Sequence, residues 1–158
     1  APHGVDLVAV IGRIQRAKSS QQPVPQIRLE DKVAARGHED RLERVIGHLV
    51  QNAIDATDKS GRVWITLSSR DGQVLVEVGD TGHGMTQEFV RERLFKPFQT
   101  TKATGMGIGA YESFQYVQEL GGRIEVDSAP NEGTQVRLLL PRFESAADAP
   151  LSARKEVA

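Results

Sequence analysis

A carboxylate beside two glycines is the first feature of this chain that could carry chemistry. Residues 80–85 read DTGHGM and follow the apolar, alternating run 73–79. Gly82 and Gly84 can take positive φ and let a ligand approach the backbone closely. Asp80 ends a strand-like run, where a carboxylate needs a hydrogen-bond donor, and an exocyclic amine of a ligand is a suitable one. An ordinary D-x-G turn is the competing interpretation.

A second glycine-rich segment, GMGIG at residues 105–109, directly precedes a helical pattern. Backbone N–H groups at such a helix start bind phosphate well. Gly105, Gly107 and Ala110 also satisfy the G-x-G-x-x-A dinucleotide fingerprint, but that fingerprint requires a strand directly upstream. Residues 99–104 are polar and aperiodic, which argues against a dinucleotide fold, and no G-x-x-x-x-G-K-[ST] phosphate loop occurs.

The segment between them, LFKPFQTTK at residues 94–102, leads from aromatic residues into a polar loop. Phe95 stands before Thr101 and Lys102. A lysine in a mobile loop ahead of a phosphate-binding helix start could close over an anion. A solvated loop lysine is the alternative, and the residues alone leave both open.

A polar stripe accompanies the longest helical pattern, residues 39–59. His48, Asn52, Asp55 and Lys59 recur at spacings of four, three and four, beside an apolar face. Such a stripe is either a solvated flank or one wall of a binding site.

Hydrophobic periodicity predicts the elements that must position these residues. Spacings of three and four predict helices at 6–18 with Asp6 as N-cap, 39–59, 87–95 and 108–120. Alternation predicts strands at 24–30 (an edge strand), 62–69, 73–80, 123–128 and 134–141, with Asp71-Gly72 as a hairpin turn. Residues 99–107 are predicted to be a mobile loop. Hairpins with helices on one face predict an α+β two-layer sandwich.

Composition sets the broad class. The chain has 158 residues, enough for about one domain. Its net charge of −1 excludes a basic nucleic-acid footprint over the whole chain. It contains no cysteine, which excludes disulfides, thiolate metal sites and a cysteine nucleophile. No apolar run approaches the roughly 18 residues of a membrane span.

The motifs together carry a resemblance. HLVQNAIDAT, DTGHGM, LFKPFQTTK, GMGIG and EGTQVRLLLP, in that order, resemble the ATP-binding catalytic domain of bacterial sensor histidine kinases, a GHKL-superfamily domain. The resemblance covers about residues 25–141. The segment TTKATGMGIGAYESFQYVQELGG is especially similar to kinases associated with exosortase (PEP-CTERM) systems. The resemblance implies a Bergerat-type mixed sheet of about five strands with helices on one face.

The resemblance also implies roles for single residues. Asn52 would ligate Mg²⁺ that bridges the ATP phosphates, and Asp80 would accept from the adenine amino group. Lys102 and the amides of Gly105, Gly107 and Gly109 would hold phosphates under a lid at 99–106. Thr134 would support the adenine through its hydroxyl or a water. Further nucleotide contacts are expected at Gly82, Gly84, Met85, Phe95, Thr101, Met106 and Ile108.

Two positions depart from the family pattern. Many histidine kinases have asparagine where His48 stands, and the ATPase relatives have glutamate. Mg²⁺ prefers oxygen ligands, so His48 is expected to serve the catalytic site through hydrogen bonding rather than as a metal ligand. Asp55 replaces a basic residue that many kinases carry near the phosphates, and we interpret this difference as one without functional effect.

The resemblance implies that this chain is a fragment. His38-Glu39 matches the start of the phosphoacceptor motif only superficially, and residues 1–24 are too short for the acceptor-bearing helical hairpin. We expect an N-terminal helix and linker at 1–24, which could be the end of an upstream dimerisation region, the catalytic domain at 25–141 and a tail at 142–158. The implied partners are ATP or ADP, the upstream hairpin and a response-regulator receiver domain.

The expected setting is the cytoplasm, within a homodimeric full-length protein that could be membrane-anchored. Two other functions stay open. One is a GHKL-type ATPase or an anti-sigma-type protein kinase module, for which a carboxylate at position 48 would be the discriminating feature. The other is a nucleotide-binding module without catalysis, although that function would need neither Asn52 nor Lys102.

Overall fold

The computed structural model describes residues 3–92 and 108–144. Its elements follow the chain in this order: β1 (His3–Asp6), α1 (Leu7–Ala17), β2 (Gln26–Leu29), β3 (Ala34–Gly37), α2 (Glu39–Asp55), β4 (Val63–Arg70), β5 (Gln73–Asp80), α3 (Gln87–Glu92), α4 (Ile108–Glu119), β6 (Arg123–Ala129) and β7 (Gly133–Leu140). The predicted α+β class is confirmed. No helix in the described part of the chain is long and apolar enough to cross a membrane.

A five-stranded mixed sheet organises the fold, with strand order β2-β4-β5-β7-β6. β2 runs parallel to β4, and the other neighbours are antiparallel. β2 is an edge strand, as its preceding proline predicts. The β4–β5 hairpin turns at Asp71 and Gly72, whose φ angles of 52° and 78° suit the turn type that matches strand twist.

One face of the sheet packs against the helices. The inward positions of β4, β5 and β7 alternate with outward ones along each strand. α1 and α2 contribute their apolar stripes to the same core. The core side chains from these five elements include Leu7, Ile11, Leu42, Ile46, Val50, Ile65, Leu67, Val76, Leu138 and Leu140.

The opposite face of the sheet is charged and solvated. Glu125 of β6 accepts hydrogen bonds from Arg70, Arg123 and Arg137. The hydrogen bond from Arg70 and those from the other two arginines lower the pKa of Glu125 to about 2. A ligand that needs apolar walls therefore has its place on the helix side of the sheet.

The small sheet of β1 and β3 is absent from the sequence prediction. The two strands pair antiparallel from His3 opposite Gly37 to Asp6 opposite Ala34. Each strand has only four residues, and the pairing spans about thirty residues of chain, so local alternation gave no signal. β3 leads directly into α2.

The helix predicted at 39–59 ends earlier, at Asp55. Thr57 turns its hydroxyl back to donate to the carbonyl of Ala53 at 2.7 Å, and Gly61 donates to the carbonyl of Asp58. The carbonyl of Ala56 accepts from the amide of His83 at 3.0 Å. The residue after the end of α2 is therefore hydrogen-bonded to the segment that follows β5.

The N-terminal helix shares the core of the rest of the chain. α1 begins as predicted, since the Asp6 carboxylate accepts from the amide of Ala9 at 3.2 Å. Arg13 pairs with Glu39 and Glu43 of α2. The boundary between residues 1–24 and 25–141 stays a prediction, and the two stretches pack together.

Candidate functional site

A pocket lies where α2, the end of β5, the following segment and the start of β7 meet. Its walls come from one side of α2 and from inward positions of the two central strands. The residues that line it are Leu49, Asn52, Ala53, Ala56, Val78, Asp80, His83, Gly84, Met85, Thr134 and Val136. Asn52, Asp80, Gly84, Met85 and Thr134, which the sequence predicted as site residues, thus lie together.

Asp80 is the charged group of this pocket and is only 6% exposed. Its Oδ1 accepts from the amide of Gly82 at 2.8 Å. Burial raises the pKa of the Asp80 carboxyl above its usual value, and hydrogen bonds from the backbone of Gly82 and Thr134 offset part of that rise. In the described ranges no lysine or arginine pairs with Asp80. A buried acceptor without a lysine or arginine partner suits a ligand that brings a donor.

The two glycines after Asp80 stand where the backbone is crowded. A Cβ on Gly82 would overlap the carbonyl of Ala56, at the end of α2. Gly84 has φ of 69°, and a Cβ there would overlap the carbonyl oxygen of Ala129. Only glycine allows this close approach. Gly84 lines the pocket, whereas Gly82 supports it by donating to Asp80.

A buried hydroxyl pair supports the sheet side of the pocket. The Oγ of Ser128 accepts from the amide of Met85 at 2.8 Å and lies 2.7 Å from the Oγ1 of Thr134. Ser128 also donates to the carbonyl of Gly133. Ser128 is not among the predicted site residues, because in the sequence it is only one residue of a predicted strand. Thr134 is therefore fixed in place by a neighbour and faces the pocket.

Asn52 is the polar residue on the α2 wall. The residue is 4% exposed, and its Nδ2 has no hydrogen-bond partner in the described part of the chain. A buried amide without a partner costs about 1–3 kcal/mol, so such a group is typical of a ligand contact. The described residues hold no group of three His, Cys, Asp or Glu side chains able to bind a metal. A cation here would need ligand oxygens besides Asn52.

His48 does not line this pocket. It lies beside a second pocket, between α2 and α4, lined by Arg41, Arg44, Val45, His48, Glu112, Ser113 and Tyr116. Burial, and then the charge of Lys18, lowers the pKa of His48 below its usual value, while Glu112 and Asp55 oppose that shift. Its Nε2 is buried and has no partner within residues 3–92 and 108–144.

Several predicted site residues lie outside the described residues: Phe95, Thr101, Lys102, Gly105, Met106 and Gly107, together with the predicted lid at 99–106. Ile108 and Gly109 form the first turn of α4, as the helical pattern predicted. Six lining residues are not among the predicted site residues: the apolar Leu49, Ala53, Ala56, Val78 and Val136, and His83. In the sequence, the apolar ones appear only as members of the apolar face of α2 or as inward-facing positions of the alternating strands.

Comparison with known proteins gives one family and many relatives. Residues 37–144 match the family model "Histidine kinase-, DNA gyrase B-, and HSP90-like ATPase". The C4-dicarboxylate transport sensor protein DctB of Rhizobium meliloti (strain 1021) is 39% identical over 106 residues, which cover 66% of this chain and 17% of that protein. The sensor histidine kinase ZraS of Klebsiella oxytoca is 37% identical over 103 residues, 65% of this chain and 22% of that protein.

The fold is also similar to that of a solved structure. The mycobacterial sensor histidine kinase MprB superposes with a TM-score of 0.77 at 25% identity, covering 92% of this chain and 100% of that one. The alignments cover only 17% of the DctB protein and 22% of the ZraS protein. The likeness to these curated relatives therefore concerns one part of larger proteins.

Proposed function

The chain belongs to the family of histidine kinase-, DNA gyrase B- and HSP90-like ATPases, and on that premise we propose that it is the ATP-binding catalytic domain of a bacterial two-component sensor histidine kinase. The observation that carries the proposal is Asp80, a buried carboxylate that lines an apolar pocket and has no lysine or arginine partner among the described residues. The sensor kinases among the relatives support it.

The pocket suits an adenine ring. Its flat faces can lie between Leu49 and Ala53 on one side and Val136 on the other, since these residues line the walls. The exocyclic amine would donate to Asp80, and the Gly84 backbone leaves room for the ring edge. Thr134, fixed by Ser128, would add a hydroxyl or a bound water to the same edge.

Asn52 fits a contact to Mg²⁺ and the phosphates. Mg²⁺ commonly binds through one or two protein oxygens together with substrate phosphates, and a single amide agrees with the lack of a carboxylate cluster in the described residues. When bound, Mg²⁺ neutralises charge on the phosphates. Asn52 lies on α2 between Leu49 and Ala53, the two helix residues proposed to contact the adenine. It would therefore hold the phosphates at a fixed distance from Asp80.

The proposed reaction is phosphoryl transfer to an imidazole outside this chain. The nitrogen of the acceptor histidine forms a bond to the γ-phosphorus while the bond to the β–γ bridging oxygen breaks. That oxygen keeps the electron pair and leaves as part of ADP, and the imidazole proton passes to solvent or a base. His38 cannot be the acceptor, because fourteen residues of α2 place it roughly 20 Å from Asn52 along the helix.

The partners and setting follow as parts of the same proposal. A helical hairpin with the acceptor histidine would precede this domain, and a receiver domain of a response regulator would take the phosphoryl group onto an aspartate. The full-length protein would be a homodimer with this domain in the cytoplasm, where ATP is available. Residues 25–141 would form the catalytic domain, with α1 packed against it.

Asn52→Ala should weaken nucleotide binding chiefly when Mg²⁺ is present, because a metal ligand contributes only with its metal. With Mg²⁺ we expect ATP affinity to fall by about tenfold or more. With EDTA the variant and the wild type should bind alike. Calorimetric titration of both proteins under both conditions measures the difference. An equal loss in EDTA would make Asn52 a structural residue of α2.

A second candidate function is ATP hydrolysis, and His48 is the observation that favours it. A histidine whose pKa lies below its usual value is neutral near pH 7 and could take a proton from water. Release of inorganic phosphate by the isolated chain, abolished by His48→Leu, would establish hydrolysis. We expect no appreciable release, because the carboxylate that activates water in the ATPase relatives is missing here.

A further inference from the structure

The segment that contains the edge strand β2 carries exposed apolar side chains. Val24, Ile27 and Leu29 are each more than a third exposed, and they are the large apolar side chains in that class among the residues whose burial the structure describes. Ile27 pairs in register with Ile65, and Leu29 pairs with Leu67, both of which are core residues. Ile27 and Leu29 therefore lie on the helix face of the sheet, beside the core but incompletely covered.

The backbone of β2 is also open on one side. In the described part of the chain β4 is the strand paired with β2, and the outer edge of β2 has no strand neighbour. Backbone N–H and C=O groups along an unpaired edge can pair with another extended chain. A strand added there would place alternate side chains against Ile27 and Leu29, and the remaining ones on the opposite face of the sheet.

The opposite face of the same edge is positively charged. Gln26 and Arg28 lie on this face because they pair in register with Trp64 and Thr66, which alternate with core residues along β4. These four residues and Arg62 line a groove of about 370 Å³. Neither Arg28 nor Arg62 forms an ion pair with another described residue. The groove therefore offers two positive charges to a partner.

Trp64 forms a fixed wall of this groove. Its indole lies over Gly79, where a Cβ would overlap the ring, and its Nε1 donates to Glu77 at 3.3 Å. Glu77 is the carboxylate among the lining residues, so the groove keeps a net positive charge from Arg28 and Arg62. Carboxylates of a partner would meet these charges, and its aliphatic groups would contact the indole.

We propose that β2 is a docking edge for an extended, acidic segment of a partner protein, which adds to the sheet as a further strand. Acidic side chains of that segment would face Arg28 and Arg62, and the apolar side chains that alternate with them would cover Ile27 and Leu29. No residue that lines the groove also lines the pocket with Asp80, so this surface is separate from the nucleotide site.

A second copy of this chain fits the edge less well than an acidic partner. Antiparallel pairing of two β2 strands with Ile27 opposite Leu29 of the other copy would place the two Arg28 side chains directly opposite each other. Like charges in that position destabilise a strand pair. Charge complementarity therefore favours an acidic partner over self-association.

A synthetic peptide of about six residues, in which Glu and Val alternate, is the probe for this edge. It should bind the 158-residue chain, and a matched peptide with Lys in place of Glu should bind at least about tenfold more weakly. Fluorescence anisotropy of the labelled peptides at low salt measures both affinities. N-methylation of the peptide's backbone nitrogens removes the N–H groups needed for strand pairing and should abolish binding.

Variants of the chain test the two faces of the edge separately. Arg28→Glu should remove the preference for the acidic peptide, and exchange of both Arg28 and Arg62 for Glu should reverse it. Ile27→Thr keeps a β-branched side chain but should weaken binding by about threefold or more, because apolar contact is lost. Arg36→Glu is the matched control, since Arg36 is an exposed arginine of the small sheet outside the groove. Denaturant unfolding checks that each variant is folded.

The outcomes decide both the partner and the mode of binding. Equal affinity for the acidic and basic peptides, no binding at about 1 mM peptide, or unchanged affinity in Arg28→Glu would overturn the proposal. Retained binding of the N-methylated peptide would overturn strand addition. A concentration-dependent dimer in sedimentation that is lost in Ile27→Thr would assign the edge to a second copy instead. ADP binding is measured separately, so the proposed function stands or fails independently of these results.

Discussion

Asp80→Asn should lower the affinity for ADP by about one to two orders of magnitude. The carboxylate is the buried acceptor proposed for the adenine amine. An asparagine amide can point an N–H group at that amine, which leaves two donors facing each other without an acceptor. ADP is a better probe than ATP, because ADP has no γ-phosphate and its affinity reports the adenine contacts more directly.

The same substitution should leave the fold intact. Burial raises the pKa of Asp80, so its ionised form is less favourable in the folded protein than in the unfolded chain. The stability contributed by this group is therefore greatest below its unfolded pKa and is lost as the pH rises through its folded pKa. Asparagine carries no charge and keeps an oxygen for the Gly82 amide. At pH 7 the variant should unfold at the same or a higher denaturant concentration than the wild type.

Asp58→Asn is a matched control for this prediction, since Asp58 is exposed in the turn after α2 and lines no part of the pocket. Calorimetric titration with ADP and denaturant unfolding are the two measurements. An ADP affinity of Asp80→Asn within about threefold of wild type would remove Asp80 from the adenine site.

Gly84→Ala should disrupt the site through the backbone. The φ of 69° costs a residue with a Cβ about 1–2 kcal/mol. The added methyl would also overlap the carbonyl of Ala129 at the end of β6, so the segment after Asp80 must move away from that strand end. We expect a loss of stability clearly above the φ cost alone, and a loss of ADP binding.

Gly72→Ala separates the two causes. Gly72 has a similar φ of 78°, but a Cβ there meets no atom within 4 Å. This variant should lose only the φ cost and should bind ADP like the wild type. Equal destabilisation of the two variants, with ADP binding retained in both, would show that the contact between Gly84 and Ala129 is unimportant.

Local patterns in the sequence were sufficient to predict most of the helices and strands. The Asp71-Gly72 turn, the Asp6 cap and the apolar stripe of α2 each depend on neighbours close in the chain, and each is confirmed. The pairing of β1 with β3 depends on contacts about thirty residues apart and gave no local signal. The end of α2 depends on Thr57 and on the distant His83, so the helix was predicted too long.

In the candidate site, too, the features that depend on neighbouring residues were predictable and those that depend on distant contacts were not. Asp80 and Asn52 could be predicted because a strand end and a helical stripe are visible in the sequence. Ser128 could not, because its importance comes from a hydrogen bond to Met85, more than forty residues away. The sequence also grouped His48 with Asn52 on one stripe. The packing of α4 against α2 decides that the stripe crosses two pockets, and that packing is not a local property.

Phosphoryl transfer from γ-labelled Mg-ATP tests the central claim most directly. The full-length protein that carries this domain should acquire acid-labile label, typical of a phosphorus–nitrogen bond, on a histidine outside residues 1–158. Asp80→Asn in that protein should remove the label, and the isolated chain should neither label itself nor release appreciable phosphate. Acid-labile label on the isolated chain, or steady phosphate release without any labelled histidine, would contradict the account.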